Sequence, residues 1–266
     1  MRDLLEELEQ GGAPEDPIAR ARAAQRPSFP KRFYKEVRVG ASSRSDESAT
    51  AGFSILLDGR PVRTPARAVL QVPSQALAEA MAEEWAAQKE QIDLATMPLT
   101  RLVNVALDRV QPEAATVRDE VVRYAGTDML FYRAESPQGL VDRQAHYWDT
   151  VLDWMRDQYG TRFYMAEGVM HVAQPEDSLA AVRDLVPEIA LPLSAIHSMT
   201  TLTGSALLAL AVAQGRLNAD EAWAAAHVDE DWNREQWGED ELATTRREAR
   251  RVEMDAAVRL LALLRS

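Results

Sequence analysis

Pro73 separates two parts of this chain whose apolar residues repeat with different periods. Residues 32–39 are rich in aromatic and β-branched side chains, and residues 52–59 place alternate apolar side chains on one face, as half-buried strands do. Asp58 and Gly59 then form the residue pair that most favours a tight hairpin. After Pro73 the apolar residues recur with the period of amphipathic helices. The sequence therefore predicts an α+β fold, in which a small antiparallel β-rich N-terminal domain precedes an all-helical C-terminal domain.

Three segments are expected along the chain. Residues 1–30 carry Gly and Pro at short intervals and are predicted to form a flexible N-terminal arm. Residues 31–95 form the β-rich domain with one helix, and residues 96–266 form the helical domain. Between positions 18 and 44 there are eight basic residues and one acidic residue. This basic stretch is interpreted either as a solvated surface or as a clamp for an acidic partner.

Several helix boundaries have local signals. Ser74 can cap the first helix, and Pro98 suits the first turn of another. Residues 198–214 are apolar on almost all sides and are predicted to form one central buried helix. Asn218 opens a helix that is expected to run to Trp237. The last helix, 239–264, is expected to turn its larger apolar side chains inward: Leu242, Ala249, Val252, Ala256, Leu260 and Leu263.

The charge and composition narrow the function. The formal net charge is −12, so phosphate backbones and anionic lipid surfaces are repelled, and neither nucleic-acid binding nor membrane insertion is expected. The chain has no cysteine, which excludes disulfides and thiolate chemistry. The start of the chain is acidic, unlike secretory or mitochondrial leaders, and the longest apolar run is too short to span a bilayer. Arginine supplies nearly all of the positive charge, a bias typical of GC-rich bacterial genomes, so we expect a cytoplasmic bacterial protein.

No familiar catalytic signature is present. The sequence lacks a GxxxxGK[ST] phosphate loop, a GxGxxG turn, a GxSxG elbow and an HExxH metal motif. His197 beside Ser198 lies at a helix start, where serine commonly acts as a cap. The lack of these motifs therefore predicts no catalytic residue.

The densest group of polar residues is the segment from His227 to Glu241. It combines one arginine and two tryptophans with seven acids: Asp229, Glu230, Asp231, Glu235, Glu239, Asp240 and Glu241. One interpretation is a solvated helix end with Trp232 and Trp237 as core anchors. A second is a carboxylate metal site, although side chains two positions apart on a helix point in nearly opposite directions. A third is a binding surface for a basic partner, with carboxylates as acceptors and tryptophans as anchors.

Two further groups of charges bear on that choice. Asp149, Asp153 and Asp157 share one helix face and weakly favour the binding-surface interpretation, since like charges at this spacing repel one another. Arginines on the last helix are expected to pair with neighbouring acids: Arg246, Arg247, Arg250 and Arg251.

Several long motifs occur in an order and spacing that resemble one family. They are RFYKEV, LDGRPVRTPAR, EWAAQ, MPLTRLVNVALDR, YAGTDMLFYR, TGSALLALA and DEDWNREQWGEDE. From about residue 32 to its end, the chain resembles the assembly chaperones of the ATP synthase α subunit, found in mitochondria and related bacteria. Asn233 and Phe131 depart from the residues common at their positions in the family.

The resemblance implies a function without catalysis, so we expect no metal site and no cofactor. Such a chaperone binds the free α subunit of the catalytic head, shields the surface that the β subunit later covers, and prevents aggregation before assembly. The matching partner-binding residues are Asp229, Glu230, Asp231, Trp237, Glu239 and Asp240. The same resemblance makes Trp85 structural. We expect the free protein to be a monomer.

Overall fold

The computed structural model describes residues 30–42, 52–168 and 170–265. The predicted arm over 1–30 lies outside these residues except for Pro30. Of the basic stretch between positions 18 and 44, residues 18–29 and 43–44 also lie outside them. By their contacts the residues fall into two compact units. Within the described chain, the smaller comprises 30–33 with Gln88–Asp93, and the larger comprises the remainder.

The smaller unit is a short antiparallel ladder. Arg32 N donates to Glu90 O at 2.9 Å, and Ile92 N donates to Pro30 O at 2.8 Å. Lys31 and Gln91 form the bridge between these two bonds. The start of the described chain is thereby held against a segment almost sixty positions later.

An antiparallel sheet opens the larger unit. Its strands are β1 (Val37–Ser42), β2 (Gly52–Leu57), β3 (Arg60–Pro61) and β4 (Gln71–Val72). β1 pairs with one side of β2, and the two short strands share the other side. Asp58 and Gly59 have φ values of 47° and 80°, which confirms the predicted hairpin turn between β2 and β3.

Helices make up most of the remaining structure. In chain order they are α1 (Gln75–Ala86), α2 (Pro98–Val105), α3 (Ala114–Gly126), α4 (Gln138–Gln144), α5 (Thr150–Tyr159), α6 (Glu176–Leu185), α7 (Ala190–Thr203), α8 (Ala206–Ala213), α9 (Ala219–Ala226), α10 (Val228–Trp237) and α11 (Glu241–Arg265). Wider helical turns at Ala106–Val110 and Ala145–Asp149 join α2 towards α3 and α4 to α5. A parallel pair, β5 (Tyr132–Arg133) with β6 (Ala166–Glu167), lies among the helices. The α+β class is confirmed. None of the described helices combines the length and apolar character needed to cross a membrane.

α1 joins the sheet to the helices. Ser74 accepts a hydrogen bond from Leu77 N at 3.2 Å, which confirms the predicted cap. The helix contacts β1 and β2 on one side and α2 and α11 on the other. Trp85 is buried in this layer, its ring meets Tyr34 edge-on, and its carbonyl accepts the Tyr34 hydroxyl at 2.7 Å. The division into a β-rich domain over 31–95 and a helical domain over 96–266 stays a prediction.

The predicted central helix over 198–214 is wrong in one respect, because it is two helices. Gly204 has φ 73° and ends α7, while Ser205 accepts from Leu208 N at 3.0 Å and begins α8. Asp128 is buried beside this break and accepts from Leu207 N at 3.0 Å. All eight residues of α8 are buried, so the prediction of a central apolar segment holds for that helix.

The helix expected from Asn218 to Trp237 also divides. Its start is as predicted, since Asn218 and Glu221 form a reciprocal capping box. At His227, however, φ is −116° and ψ is 19°, so α9 ends and α10 begins. The His227 ring is buried, and Nδ1 lies 2.8 Å from Trp223 O, to which it donates. The break therefore turns an imidazole into the core and re-aims the acidic segment that follows.

The predicted inward face of the last helix is correct only near its C-terminus. Ala256 and Leu260 are buried. Leu242, Ala249 and Val252 are exposed, so the predicted apolar face is covered only towards the C-terminal end of α11.

Candidate functional site

The candidate site is the acidic segment of α10, the turn after it and the start of α11. Gly238 has φ 90° and ψ −179°, a backbone conformation that is essentially restricted to glycine. Asp240 follows, and its Oδ1 accepts from Ala243 N at 2.8 Å. Asp240 is thus an exposed N-cap of α11, which uses one carboxylate oxygen for the fold.

Asp231 is held between two arginines. Both terminal nitrogens of Arg247 contact its carboxylate, the second at 3.0 Å from Oδ2, and Arg234 Nη2 lies 3.2 Å from Oδ1. Burial alone would raise the pKa of Asp231, but the hydrogen bonds and charge of Arg247, together with Arg234, outweigh it and lower the pKa. This carboxylate ties α10 to α11.

Asp229 is fixed to α4 by an amide. Gln144 Nε2 donates to Asp229 Oδ1 at 2.6 Å, and Gln144 Oε1 accepts from Ala134 N at 2.8 Å. Gln144 is buried, whereas Asp229 remains exposed. One carboxylate oxygen therefore orients the helix, and the other is left at the surface.

A second contact with α4 surrounds Trp232. Arg143 forms a two-pronged ion pair with Glu235, at 2.8 and 2.9 Å, and its guanidinium lies 5.2 Å from the centre of the Trp232 ring. Its hydrogen bonds lower the pKa of Glu235. A Cβ at Gly139 would come within 2.8 Å of Trp232 Cη2, so the glycine makes room for the indole. Trp232 is a half-buried anchor.

Glu230 faces outward from the same helix. Its side chain is 47% exposed, and the contact found for its carboxylate is His227 Nε2 at 3.7 Å, beyond hydrogen-bond distance. Burial lowers the pKa of His227 in spite of its bond to Trp223 O, so the imidazole is neutral at neutral pH. The Glu230 charge is consequently not neutralised by this neighbour.

Trp237 and Glu239 extend the exposed surface to the end of α10. Trp237 is 87% exposed, so the interpretation of this residue as a core anchor is wrong. Glu239 is 67% exposed and 3.7 Å from Arg234 Nε. Glu230 and Trp237 are seven positions apart, which places them on one helix face about 10 Å apart along the axis.

The six residues predicted to bind the partner fall into two groups in the structure. Asp229, Asp231 and Asp240 have bonds within the protein that position α10 and α11, while Glu230, Trp237 and Glu239 present their side chains to solvent. Sequence reasoning expected Arg247 to pair with an acid, which is confirmed, but it missed Arg143, Gln144 and Gly139. No sequence signal links these α4 residues to partners about ninety positions away.

The aspartates at positions 149, 153 and 157 form ion pairs with arginines of this protein. Asp149 contacts Arg133 at 2.7 Å, and Arg156 contacts both Asp153 and Asp157. They therefore add little uncompensated charge. Among the described residues, no three His, Asp or Glu side chains are grouped so that they could hold a metal ion.

The comparisons with known proteins agree with one another. The model of the ATP12 chaperone protein family matches residues 31–156. The mitochondrial protein atp12 of Schizosaccharomyces pombe is 23% identical over 225 residues, which is 80% of this chain and 75% of the relative. The crystal structure of Atp12 from Paracoccus denitrificans is 37% identical, with a TM-score of 0.81 over 88% of this chain and 98% of that one.

The chain belongs to the ATP12 chaperone family. A solved protein of Agrobacterium tumefaciens is also similar, at 47% identity with a TM-score of 0.84 over 99% of this chain and 97% of that one. The ATP12 family supplies assembly chaperones of the ATP synthase, and membership gives this chain that role. The family resemblance read from the motifs is confirmed.

Proposed function

We propose that the client of this ATP12 chaperone is the free α subunit of the ATP synthase catalytic head, which the chaperone shields on its β-subunit-facing side until assembly. The observation that carries the proposal is the exposed Trp237, which lies between the outward carboxylates of Glu230 and Glu239. Exposing most of an indole ring to water is unfavourable, and burial against a partner relieves that cost. Tryptophan is also enriched among the residues that dominate interfaces.

The surrounding charges specify the partner's chemistry. Glu230 and Glu239 are outward-facing acceptors, and Asp229 retains one carboxylate oxygen at the surface. Such a surface suits a partner with basic groups beside an apolar patch, since complementary charge speeds and orients association. Asp231 and Asp240 act indirectly, because they fix the helices that carry these groups.

The proposed role requires no reaction. Four acids of the segment are engaged in ion pairs, a hydrogen bond to the Gln144 amide and a helix cap: Asp229, Asp231, Glu235 and Asp240. The proposed role asks no catalysis of the remaining acids. We propose a non-enzymatic protein that uses no cofactor, acts as a monomer when free and works in the bacterial cytoplasm. Release then follows from competition, because the β subunit covers the same surface of the client.

Aggregation of the isolated α subunit tests this function. Light scattering of freshly diluted α subunit is recorded with and without one equivalent of this protein, and the mixture is then separated by size exclusion. Suppressed scattering and a one-to-one complex are expected. Equal aggregation in both samples would contradict the proposed client.

Charge reversal tests the site. Glu230→Lys is expected to weaken binding about tenfold, because it replaces an attraction by a repulsion at the interface. Glu113→Lys is the matched control, as Glu113 is an exposed acid outside the acidic segment. Equal binding by the two variants would remove Glu230 from the interface and leave the choice of client intact.

A further inference from the structure

The open side of the sheet carries a groove that is separate from the acidic segment. Within the described chain, β1 pairs with β2 alone, and α1 runs beside it. A cavity of about 770 Å³ lies between them, with Val37, Val39, Ala41 and Phe53 as its floor and Ala82 in its wall. A strand edge next to a helix is the geometry in which extended peptides add to a sheet.

The register of the sheet shows which backbone groups line this groove. Asp58 N donates to Glu36 O at 3.0 Å, so Glu36 and the alternate residues after it bond to β2. On the far side of β2, Val62 N donates to Ile55 O at 2.9 Å, which shows that Ile55 turns its backbone away from Val39. The N–H and C=O groups of Val37, Val39 and Ala41 are therefore directed at the open edge.

The side chains of the groove select what can lie there. Val37, Val39 and Ala41 point to one face and are small, so they accommodate modest apolar side chains at every second position. The six residues of β1 extend about 20 Å, enough to pair with a segment of similar length. A helix could not bond to this edge, because its own backbone groups are already paired.

The wall on α1 is acidic. Glu79 and Glu83 are exposed and lie one turn apart. Glu79 accepts from Gln75 at 2.7 Å, and Glu83 lies 3.4 Å from Arg259, both ends of that pair being mostly exposed. On the strand side Arg38 is already paired with Glu36 at 2.5 Å. The groove therefore favours a segment that carries a basic residue.

We propose that this groove binds an extended segment of the client, with alternating small apolar residues and one basic residue, which adds to the sheet beside β1. The identity of the client rests on the proposed function. The groove supplies backbone hydrogen bonds that depend little on sequence, while Glu79 and Glu83 supply the preference for positive charge. A chaperone would in this way hold an otherwise exposed strand of an unassembled subunit.

Site-specific cross-linking tests the occupant. The chain has no cysteine, so Ala82→Cys carries a benzophenone label at a single position in the groove. The labelled protein is mixed with purified α subunit, illuminated, and the cross-linked peptides are identified by mass spectrometry. We expect one short segment of the α subunit with a basic residue. Glu113→Cys with the same label is the control and is expected not to capture that segment.

Backbone chemistry tests the mode of binding. Val39→Pro removes an outward N–H without touching the β1–β2 bonds, whereas Val39→Thr keeps both the N–H and the branched shape. Loss of one strand hydrogen bond is expected to weaken α-subunit binding about fivefold in the proline variant alone. Thermal unfolding of both variants identifies any loss of folding, and the cross-linking result does not depend on them.

The failures are distinguishable. If the wild-type protein protects the α subunit, but the Ala82 label captures no more than the Glu113 label and both Val39 variants bind alike, the groove proposal is wrong and the proposed function stands. Capture of a second copy of this chain would also overturn it, because β1 would then be a self-pairing edge. If the wild-type protein neither binds nor protects the α subunit, the proposed function itself fails.

Discussion

Arg247 on α11 donates from both terminal nitrogens of its guanidinium group to the carboxylate of Asp231 on α10. The two side chains are only 16% and 24% exposed, respectively. The pair connects α10 with α11 across the turn at Gly238. Asp231 therefore helps to fix the position of α10 relative to α11.

A double-mutant cycle tests that connection. Asp231→Ala and Arg247→Ala are each expected to lower the free energy of unfolding by about 1–2 kcal/mol, between the values of exposed and buried ion pairs. The double variant should lose little more than either single one, as the partners depend on each other. Urea unfolding gives the values, and strict additivity would contradict the coupling.

Low pH should remove the stabilisation that the Asp231–Arg247 pair provides. The pKa of Asp231 is lowered from 3.8, so the stabilisation is present well above that pH and is lost as the pH falls through the lowered pKa. The Asp153–Arg156 pair is the matched control for the double-mutant cycle. Both of its side chains are 55% exposed, so the cycle should show no measurable coupling between them.

Trp237 is expected to be dispensable for folding. Because its side chain is 87% exposed, Trp237→Ala should change the free energy of unfolding by less than about 0.5 kcal/mol. Trp148→Ala is the contrast, since that ring is 1% exposed and donates to Ala225 O, and it should cost about 3–5 kcal/mol. Acrylamide quenching before and after Trp237→Phe checks the exposure: an unchanged quenchable fraction would place the indole inside the protein.

Local signals account for the parts of the fold that the sequence predicts well. The Asp58–Gly59 turn and the capping box at Asn218 each depend on residues within three positions of one another. The division at Gly204 has local signals too, in Gly204 and the Ser205 cap, but it also includes Asp128, whose carboxylate accepts from Leu207 N across 79 positions. Leu242 is apolar and correctly spaced, yet its side chain is 68% exposed, and periodicity cannot reveal where the buried part of a helix face ends.

The candidate site has the same limit. The acidic segment and its two tryptophans are evident from composition and from the family resemblance. Whether a given acid faces solvent depends on partners from other helices, such as Gln144 for Asp229 and Arg143 for Glu235. A single sequence gives no measure of those distances. It therefore predicts the acidic segment, but not which of its acids bond within the protein and which face solvent.

Gly204 provides a test of the break between α7 and α8. Its φ is 73°, and an added Cβ would come no closer than 3.8 Å to Met129 Sδ, so alanine is opposed by backbone conformation without a steric clash. Gly204→Ala should lower the free energy of unfolding by about 1 kcal/mol. Gly126→Ala is the matched control of opposite sign, because Gly126 lies within α3 and its Cβ would meet Leu179 at an ordinary 3.9 Å. Thermal unfolding distinguishes them, and a shift in the same direction for both would contradict this account.

Asp128 should make stability depend on pH at the α7–α8 break. Burial raises its pKa from 3.8 to about 6, against the hydrogen bonds donated by Leu207, Ser205 and Leu130. A raised pKa means that its contribution is present below 3.8 and is lost as the pH rises through about 6. The difference corresponds to about 3 kcal/mol.

Asp128→Asn isolates this effect because asparagine does not titrate. The free energy of unfolding of the wild type, minus that of Asp128→Asn, should fall by about 2.4 kcal/mol between pH 4 and pH 7 in urea titrations, slightly less than the full difference because the unfolded chain is already partly ionised at pH 4. Ser205→Ala removes a donor to the ionised Asp128 carboxylate, so the pH range over which stability falls should lie higher in this variant than in the wild type. The variant also lacks the cap of α8, which should cost about 1 kcal/mol at every pH. A wild-type-minus-variant difference that stayed constant over this range would mean that Asp128 is ionised throughout, and that its bonds to Leu130 and Leu207 outweigh its burial.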